Sequence, residues 1–326
     1  MLSEFELIGR YFEKSANAAS LAARSDVQLG IGDDSALLGA ASGMQLAVST
    51  DMLVEGRHFS AGADPRKLGH KALAVNLSDM AAMGAAPRWV TLALALPKAD
   101  EAWLDRFSAG FFALAKRFDV ALVGGDTTRG PLNISITIMG EVPSGLALFR
   151  AGAQPGDEIW VSGELGGASL ALRHESGRLR LADPDLSQLL ARLHEPEPRI
   201  VLGERLRGIA TSAIDVSDGF AGDLAHILER SSTGALVRYA DLPRPPAFSR
   251  LGDAVLESEC VLSGGDDYEL AFTAPQGRRE EIEALGAELG LALTRVGFVQ
   301  SGAPRLILLD SAGNAMPTPG GFDHFK

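Results

Sequence analysis

Several residue patterns that mark common classes of protein are missing from this sequence. The 326 residues include a single cysteine, Cys260, so no intramolecular disulfide forms and a reducing compartment, the cytoplasm, is favoured. The N-terminal residues do not follow the basic-then-apolar pattern of a signal peptide. The longest apolar run, 89–96, stops at Pro97 and is much shorter than the roughly 18 residues of a membrane helix. We therefore expect a cytoplasmic protein without a membrane partner.

Positive charge is also scarce. The 30 Lys and Arg residues against 42 Asp and Glu residues give a formal net charge of −12, which makes nucleic acid an unfavourable partner. None of the six lysines follows a glycine, so the chain has no P-loop for a nucleotide. A dinucleotide-binding glycine fingerprint, zinc-ligand spacings and a nucleophilic serine elbow are absent from the sequence as well.

Hydrophobic patterning indicates two mixed α/β domains. A turn-rich stretch at 150–157 separates two halves of similar style, and we place the boundary between residues 149 and 150. The predicted strands cover 44–50, 89–96, 120–123, 133–142, 158–162, 213–216, 236–239, 269–273 and 306–309. The predicted helices cover 7–14, 65–84, 100–118, 220–229 and 279–289, with one more beginning at 168 and one ending near 193.

Glycine is in excess, and aspartates stand beside many of the glycines. Glycine contributes 37 of the 326 residues, above the roughly 7% of an average protein. Aspartates adjoin glycines or end apolar segments at 32–34, 49–51, 125–126, 215–219 and 264–267. Each of these alone is accounted for by a turn or a helix cap. Asp79 differs, because it interrupts an apolar helix face, where a carboxylate requires a partner.

Together the aspartates predict a cation site. Two carboxylates about 4 Å apart repel by roughly 4 kcal/mol at an effective dielectric constant of 20, so five or six of them on one rim require cations between them. Oxygen donors favour Mg²⁺ or Mn²⁺ over Zn²⁺. The adjacent glycines allow backbone N–H groups to reach phosphate oxygens. The residues therefore predict a Mg²⁺-phosphate site that is not a P-loop.

Six motifs, in this order, resemble those of the thiamine-monophosphate kinase family, and the resemblance extends over the whole chain. They occupy residues 30–36, 49–59, 71–84, 124–130, 214–219 and 262–270. Single motifs recur in the wider ATP-binding superfamily that includes aminoimidazole ribonucleotide synthetase and selenophosphate synthetase. The joint set is specific to the kinase.

The resemblance implies a mixed α/β (α+β) fold of two domains, similar to aminoimidazole ribonucleotide synthetase. Residues 1–149 would bind ATP and Mg²⁺ and would pair their sheet with that of a second copy in a homodimer. Residues 150–326 would complete the active-site cleft. The implied reaction is Mg²⁺-dependent, in-line transfer of the γ-phosphoryl group of ATP to thiamine monophosphate, which gives thiamine diphosphate and ADP.

The resemblance also implies a role for each matching position. The implied ligands of several Mg²⁺ ions are Asp34, Ser49, Thr50, Asp51, Asp79, Asp126, Asp215 and Asp218. The implied contacts of ATP are Gly125, Asp126, Arg150 and Ser217, and those of the substrate are His58, Asp266 and Phe322. Asp218 and Arg150 are the residues implied to be catalytic.

Some positions depart from the family pattern or are open to two interpretations. Asp266 stands where the family has glutamate, so the charge is kept on a side chain one methylene shorter. The family places an aromatic residue against adenine from the helix that contains Phe111 and Phe112, and the sequence does not choose between them. Without the resemblance, His58, Arg150 and Phe322 fit ordinary structural roles equally well.

The implied chemistry agrees with the residues. The acceptor is a phosphate monoester, already anionic near neutral pH, so no strong general base is required. Bringing two anions together is a task for Mg²⁺ ions and Arg150, and we expect direct transfer without a phosphorylated enzyme. Two alternatives remain: another ATP-dependent synthetase of the same superfamily, or a non-catalytic protein that binds Mg²⁺ and nucleotide.

Overall fold

The computed structural model describes residues 4–19, 24–32 and 34–319 of the chain. The chain divides into two compact units, one of Met1–Met80 with Ala85–Gly145 and the other of Ala81–Gly84 with Leu146–Lys326. Among the described residues, no helix combines the length and the apolar character needed to cross a membrane.

The first unit is built on a four-stranded sheet. Its helices are α1 Glu4–Leu7, α2 Lys14–Ala19, α3 Pro65–Ala82 and α4 Glu101–Arg117, with a π-helical segment, Ile8–Glu13, between α1 and α2. Its strands are β1 Val27–Leu29, β2 Leu37–Leu38, β3 Met44–Val54, β4 Ala86–Leu96, β5 Ala121–Arg129 and β6 Asn133–Pro143. The sheet order is β3-β6-β4-β5, in which only the β4–β5 pair is parallel, and β1 and β2 form a separate ribbon.

The second unit is built on a seven-stranded sheet. Its strands are β7 Glu158–Ser162, β8 Ser212–Val216, β9 Gly234–Arg238, β10 Glu269–Ala274, β11 Leu293–Gln300, β12 Leu306–Leu309 and β13 Ala315–Met316. Its helices are α5 Gly167–Glu175, α6 Asp185–His194, α7 Ile200–Arg205, α8 Phe220–Ser231, α9 Ala247–Leu251, α10 Ala254–Ser263 and α11 Arg279–Leu289. The sheet order is β13-β12-β9-β11-β7-β10-β8, and β7, β8 and β10 are buried along their whole length.

The mixed α/β class expected from the sequence is confirmed, and α11 and β12 have the predicted bounds. The alternating isoleucines of β6 correctly predict a strand with one buried face. Ile134, Ile136 and Ile138 lie on the same face and are at most 1% exposed. The helix expected at 7–14 is instead three short helical segments over 4–19, the middle one π-helical.

Strand β11 was not predicted, and the predicted end of β5 is wrong. We expected β5 to end at Val123, with Gly125 and Asp126 in a turn, but β5 continues to Arg129 and pairs with β4 as far as Leu96. A Cβ atom at Gly125 would lie 1.9 Å from the carbonyl oxygen of Leu92. Glycine is therefore required here by close strand contact rather than by a turn.

Candidate active site

The first unit contains a pocket of ≈ 810 Å³ beside β5. The turn after β1 and the middle of β5 line it together, and they bring Asp34, Gly125 and Asp126 to one cavity. Both carboxylates are exposed. The structure therefore brings together three of the residues singled out in the sequence, in a pocket large enough for a small-molecule ligand.

Strand β3 presents the predicted metal ligands on two faces of the sheet. Ser49 lies on the face covered by α3, where its Oγ donates a hydrogen bond of 2.5 Å to Oδ2 of Asp79. Asp51 shares that face, because alternate residues of a strand point the same way. Thr50 lies on the opposite face, with its Oγ1 2.8 Å from Oγ1 of Thr137 on β6. Ser49 is thus a partner of the kind that Asp79 requires on an apolar helix.

The strand register separates Asp126 from Asp51. Met52, Ser135, Ala93 and Asp126 pair in succession across the four strands, and cross-strand partners share a face. Asp126 therefore lies on the face of Met52, opposite that of Asp51. The first unit does not gather these two carboxylates at one point.

The turn after β3 fixes the orientation of His58. The backbone N–H of Val54 donates to Nδ1 of His58 at 3.0 Å, and the backbone N–H of His58 donates to the Val54 carbonyl at 3.0 Å. Because Nδ1 accepts a hydrogen bond, the proton of the neutral imidazole is on Nε2. His58 is half-buried.

In the second unit, strand β8 and the loop after it carry three predicted site residues, one in the strand and two in the loop. Asp215 is buried at 5% exposure, Ser217 is half-buried and Asp218 is exposed. Oδ2 of Asp223, on the first turn of α8, accepts hydrogen bonds of 3.0 Å from the backbone N–H groups of both Ser217 and Asp218. Asp223 therefore holds the loop at the two residues that the family resemblance assigns to ATP and metal.

Burial, with a smaller contribution from the charge of Asp218, raises the pKa of the Asp223 carboxyl to about 6. The two backbone hydrogen bonds and His226 act in the opposite direction. No sequence pattern singles out Asp223 beyond its place as an acid in the first turn of a helix, where the helix dipole favours negative charge.

A second loop, 264–268, places Asp266 beside Ser217. The backbone N–H of Asp266 donates to the Ser217 carbonyl at 2.9 Å, and that of Tyr268 donates to the Val216 carbonyl at 2.8 Å. The Tyr268 hydroxyl donates to Oδ1 of Asp266 at 3.0 Å. Asp266 and Tyr268 both have a positive φ, 70° and 51°, a conformation that side chains adopt at a cost and that is frequent at functional sites. Tyr268 is a second residue that the sequence patterns did not indicate.

The backbone around Arg150 is fixed on both sides while its side chain is exposed. The Phe149 carbonyl accepts from the Ala213 backbone N–H at 2.9 Å, and the Arg150 carbonyl accepts from the Ser231 hydroxyl at 3.3 Å. The fixed backbone presents the guanidinium of Arg150 to solvent, where it can meet an anion.

The donor set fits Mg²⁺ on chemical grounds. Over the described ranges, no three His, Cys, Asp or Glu side chains form a group that could hold a metal ion. The donors occur in smaller groups of hydroxyl and carboxylate oxygens, such as Ser49 with Asp79. Mg²⁺ is usually bound by one or two carboxylates together with waters and substrate phosphates. Groups of this size therefore suit Mg²⁺ with a phosphate ligand, whereas a structural Zn²⁺ site would need four protein donors.

Three aromatic candidates from the sequence have different outcomes. Phe111 is fully buried, at 0% exposure, so it belongs to the core. Phe112 is half-buried and meets Phe111 edge to face, with ring centroids 5.2 Å apart. Phe322 lies outside the described residues.

Comparison with known proteins agrees with the two-unit architecture. The model of the AIR synthase related protein N-terminal domain matches residues 32–142, and that of the AIR synthase related protein C-terminal domain matches residues 154–307. The fold is thus that of the two-domain AIR synthase related proteins.

Individual relatives define the family further. The chain is 46% identical over 323 residues to thiamine-monophosphate kinase of Escherichia coli (strain K12). This match covers 99% of this chain and 98% of the relative. The crystal structure of thiamine-monophosphate kinase from Stenotrophomonas maltophilia K279a is similar with a TM-score of 0.86 and 47% identity, over 93% of this chain and 96% of that one. A structure of AaThiL complexed with AMPPCP and TMP is similar with a TM-score of 0.77 and 28% identity, and the match covers 99% of this chain and 97% of that one. The chain belongs to the thiamine-monophosphate kinase family.

Proposed function

We propose that this chain transfers the γ-phosphoryl group of ATP directly to the phosphate of thiamine monophosphate, giving thiamine diphosphate and ADP. The observation that carries the proposal is the 46% identity to the Escherichia coli thiamine-monophosphate kinase over 99% of the chain. The similarity to AaThiL complexed with AMPPCP and TMP supports it. Because ATP is produced in the cytoplasm, we propose that the reaction takes place there.

Mg²⁺ ions are the proposed cofactor. When bound, they would neutralise the phosphates and polarise the transferring group. The residues that would hold them are Asp34, Ser49, Thr50, Asp51, Asp79, Asp126, Asp215 and Asp218. The oxygen-only chemistry of these donors supports the assignment.

The ATP contacts proposed for this chain are Gly125, Asp126, Arg150 and Ser217. Gly125 is exposed in the wall of the ≈ 810 Å³ pocket, so its backbone is accessible to a phosphate. The exposed guanidinium of Arg150 is suited to stabilise negative charge on the transferring group. Asp218 would act with Arg150 at the reacting phosphates.

The proposed substrate contacts are His58, Asp266 and Phe322. The orientation of His58 leaves Nε2–H as its donor, and the Tyr268 hydroxyl orients the Asp266 carboxylate. The acceptor oxygen belongs to a phosphate monoester that is anionic near neutral pH. The reaction therefore needs no strong general base, and we propose that no phosphorylated enzyme forms.

We propose that residues 1–149 form the ATP-binding and dimerisation domain and that residues 150–326 form the C-terminal domain. An exposed apolar face of β3, made of Leu46, Val48 and Met52, supports pairing of two copies. Monomeric proteins seldom expose such a row on an edge strand, which would otherwise invite aggregation.

The proposal is tested by a coupled assay of ADP formation with ATP, Mg²⁺ and one candidate acceptor at a time. The acceptors are thiamine monophosphate, thiamine, pyridoxal and the formamidine substrate of the related synthetase. We expect turnover with thiamine monophosphate alone, and its loss in Asp218→Asn but not in Asp253→Asn, a helix cap on α10. Turnover of the formamidine, or ATP binding without turnover of any acceptor, would contradict the proposal.

A further inference from the structure

A second pocket of ≈ 310 Å³ in the first unit is not accounted for by the site described above. It lies where β3 and β4 end and where α3 and α4 begin. Its apolar wall includes Phe59, Leu68, Leu96, Trp103 and Leu132. Leu68, Leu96 and Leu132 are buried, whereas Phe59 and Trp103 are half-buried, so two aromatic rings are accessible to a ligand.

The Trp103 side chain and the Phe59 backbone are held in place by their surroundings. The Trp103 ring stacks on that of Phe107, with centroids 4.9 Å apart and an interplanar angle of 11°. The backbone N–H of Trp103 donates to the Asp100 carboxylate at the start of α4. The Phe59 carbonyl accepts from the Gly56 backbone N–H at 2.8 Å, which closes the turn after β3. A ligand ring would therefore meet aromatic surfaces that need little further ordering.

The charge around this pocket is negative. Glu55 is exposed and lines it. The ammonium group of Lys98 is 2.9 Å from the Asp100 carboxylate, so these two charges offset one another and Glu55 remains in excess. A phosphate group is repelled by such a rim, whereas a cationic ring over an aromatic face is favoured.

The pocket lies on the face of the sheet that carries Asp51 and Asp79. Residues 49, 51 and 53 alternate onto that face, and Glu55 follows directly after the end of β3. Pro65 and Leu68 of the pocket belong to α3, the helix of Asp79. At about 3.3 Å per residue, Glu55 is roughly 13 Å along β3 from Asp51. His58 belongs to the same turn as Glu55 and Phe59. A substrate of two linked rings with a terminal phosphate has a comparable length.

We infer that this pocket binds the cationic heteroaromatic rings of the substrate, with Trp103 and Phe59 as the ring contacts and Glu55 as the charge partner. The inference rests on the proposed function, because the permanently charged thiazolium of thiamine monophosphate is the ring that the pocket fits. Neither adenine nor a phosphate carries that positive charge. Trp103 and Glu55 are thereby residues that determine specificity for thiamine over other phosphate monoesters.

Tryptophan fluorescence provides a test that does not depend on turnover. Of the three tryptophans, Trp89 and Trp160 are 1% and 2% exposed, so a bound ring can contact only Trp103. We expect thiamine monophosphate and thiamine to quench the emission of the wild-type protein without ATP, and we expect ATP and inorganic phosphate not to. Quenching should disappear in Trp103→Phe. Quenching by ATP alone would assign the pocket to adenine and overturn the inference.

Kinetics provide the second arm of the test. Trp103→Leu should raise the KM for thiamine monophosphate about ten-fold, the effect of losing one stacked cation–aromatic contact, with a smaller change in the KM for ATP. Trp103→Phe should restore most of the affinity, and Glu55→Gln should raise the same KM without changing the melting temperature. Phe298→Leu, at an exposed aromatic residue of β11, is the matched control and should change neither constant.

The outcomes separate this inference from the proposed function. Turnover of thiamine monophosphate with no quenching and no change of KM in Trp103→Leu would overturn the inference and leave the kinase activity in place. Quenching by thiamine monophosphate without turnover would support the pocket and contradict the kinase activity.

Discussion

Asp223 is buried at 4% exposure, and one of its carboxylate oxygens accepts from both backbone N–H groups of the Ser217–Asp218 loop. We expect Asp223→Ala to lower kcat/KM about ten-fold or more, because an unmade buried hydrogen bond costs roughly 1–3 kcal/mol. Asp223→Asn keeps an oxygen acceptor and should retain most of the activity. Steady-state kinetics over a range of Mg²⁺ concentrations measure both.

The control for this prediction is Asp253→Ala. Asp253 also accepts from two backbone N–H groups, those of Val255 and Leu256, but at the start of α10. Its loss should lower stability and leave kcat/KM unchanged. Equal kinetic effects of the two substitutions would show that Asp223 has no particular role in holding the loop.

Asp267 gives stability a pH dependence that can be attributed to one group. Burial, with a smaller contribution from the charge of Glu269, raises the pKa of its carboxyl to about 8, while the N–H groups of Gly166 and Ala168 and the charge of Arg192 act in the opposite direction. An unfolded aspartate has a pKa near 4, so the folded protein binds more protons between about pH 4 and pH 8. The contribution of Asp267 to the free energy of unfolding therefore falls as the pH rises through that window.

The corresponding prediction compares wild type with Asp267→Asn, which stays neutral. Urea unfolding at about pH 5 and about pH 9 should show the wild type losing stability relative to the variant as the pH rises. Asp253→Asn, at an exposed helix cap, is the reference for effects of removing any carboxylate. A constant difference between wild type and Asp267→Asn at both pH values would contradict the assignment.

At the scale of elements, α3 and α4 cross at glycines. A Cβ at Gly110 would lie 1.9 Å from the Arg66 carbonyl oxygen, and one at Gly69 would lie 2.1 Å from that of Phe107. Helix propensity favours alanine by about 1 kcal/mol, but a clash with backbone at this distance outweighs it. We expect Gly110→Ala to lower the free energy of unfolding by about 2 kcal/mol or more.

Thermal and urea unfolding measure this effect, and Gly277→Ala is the control, since nothing lies within 4 Å of a Cβ there. Because α3 carries Asp79, a displaced α3 should also disturb the contact with Ser49 and lower activity. Unchanged stability in Gly110→Ala would contradict the close crossing.

Elements with a strong local pattern could be predicted from the sequence, and those set by strand contacts could not. The alternating isoleucines of β6 are a signal carried by the residues themselves. Glycine usually marks a turn, but Gly125 lies within β5, where the lack of a side chain permits close contact with β4. β11 was missed for a similar reason, since a Cβ at Gly297 would lie 2.2 Å from the carbonyl oxygen of Leu236.

In the candidate site, too, some features follow from local sequence patterns and others depend on contacts between strands. The aspartates were recognisable because they stand beside glycines, and the need of Asp79 for a partner follows from its apolar helix. That Ser49 is such a partner, and that Asp51 and Asp126 occupy opposite faces, depends on strand register. Asp223, Tyr268 and Trp103 have no sequence signal of their own, since their roles come from contacts made after folding.

At the scale of the whole molecule, β3 presents Leu46, Val48 and Met52 to solvent at 53%, 61% and 53% exposure. If two copies pair through this face, a buried charge there is strongly unfavourable. We expect Val48→Glu to shift the protein from dimer to monomer in sedimentation equilibrium. Val255→Glu, at an exposed residue of α10, should keep the wild-type mass, and a Val48→Glu protein of wild-type mass would contradict pairing through β3.

The proposed reaction is direct transfer of a phosphoryl group from ATP to thiamine monophosphate. The measurement that tests it most directly is a single turnover with ATP labelled in its γ-phosphoryl group, Mg²⁺ and thiamine monophosphate, followed by separation of the products. We expect the label to pass from ATP to thiamine diphosphate, with none on the protein at any time, and we expect Asp218→Asn to abolish the transfer. Label retained on the protein, or released only as inorganic phosphate, would contradict it.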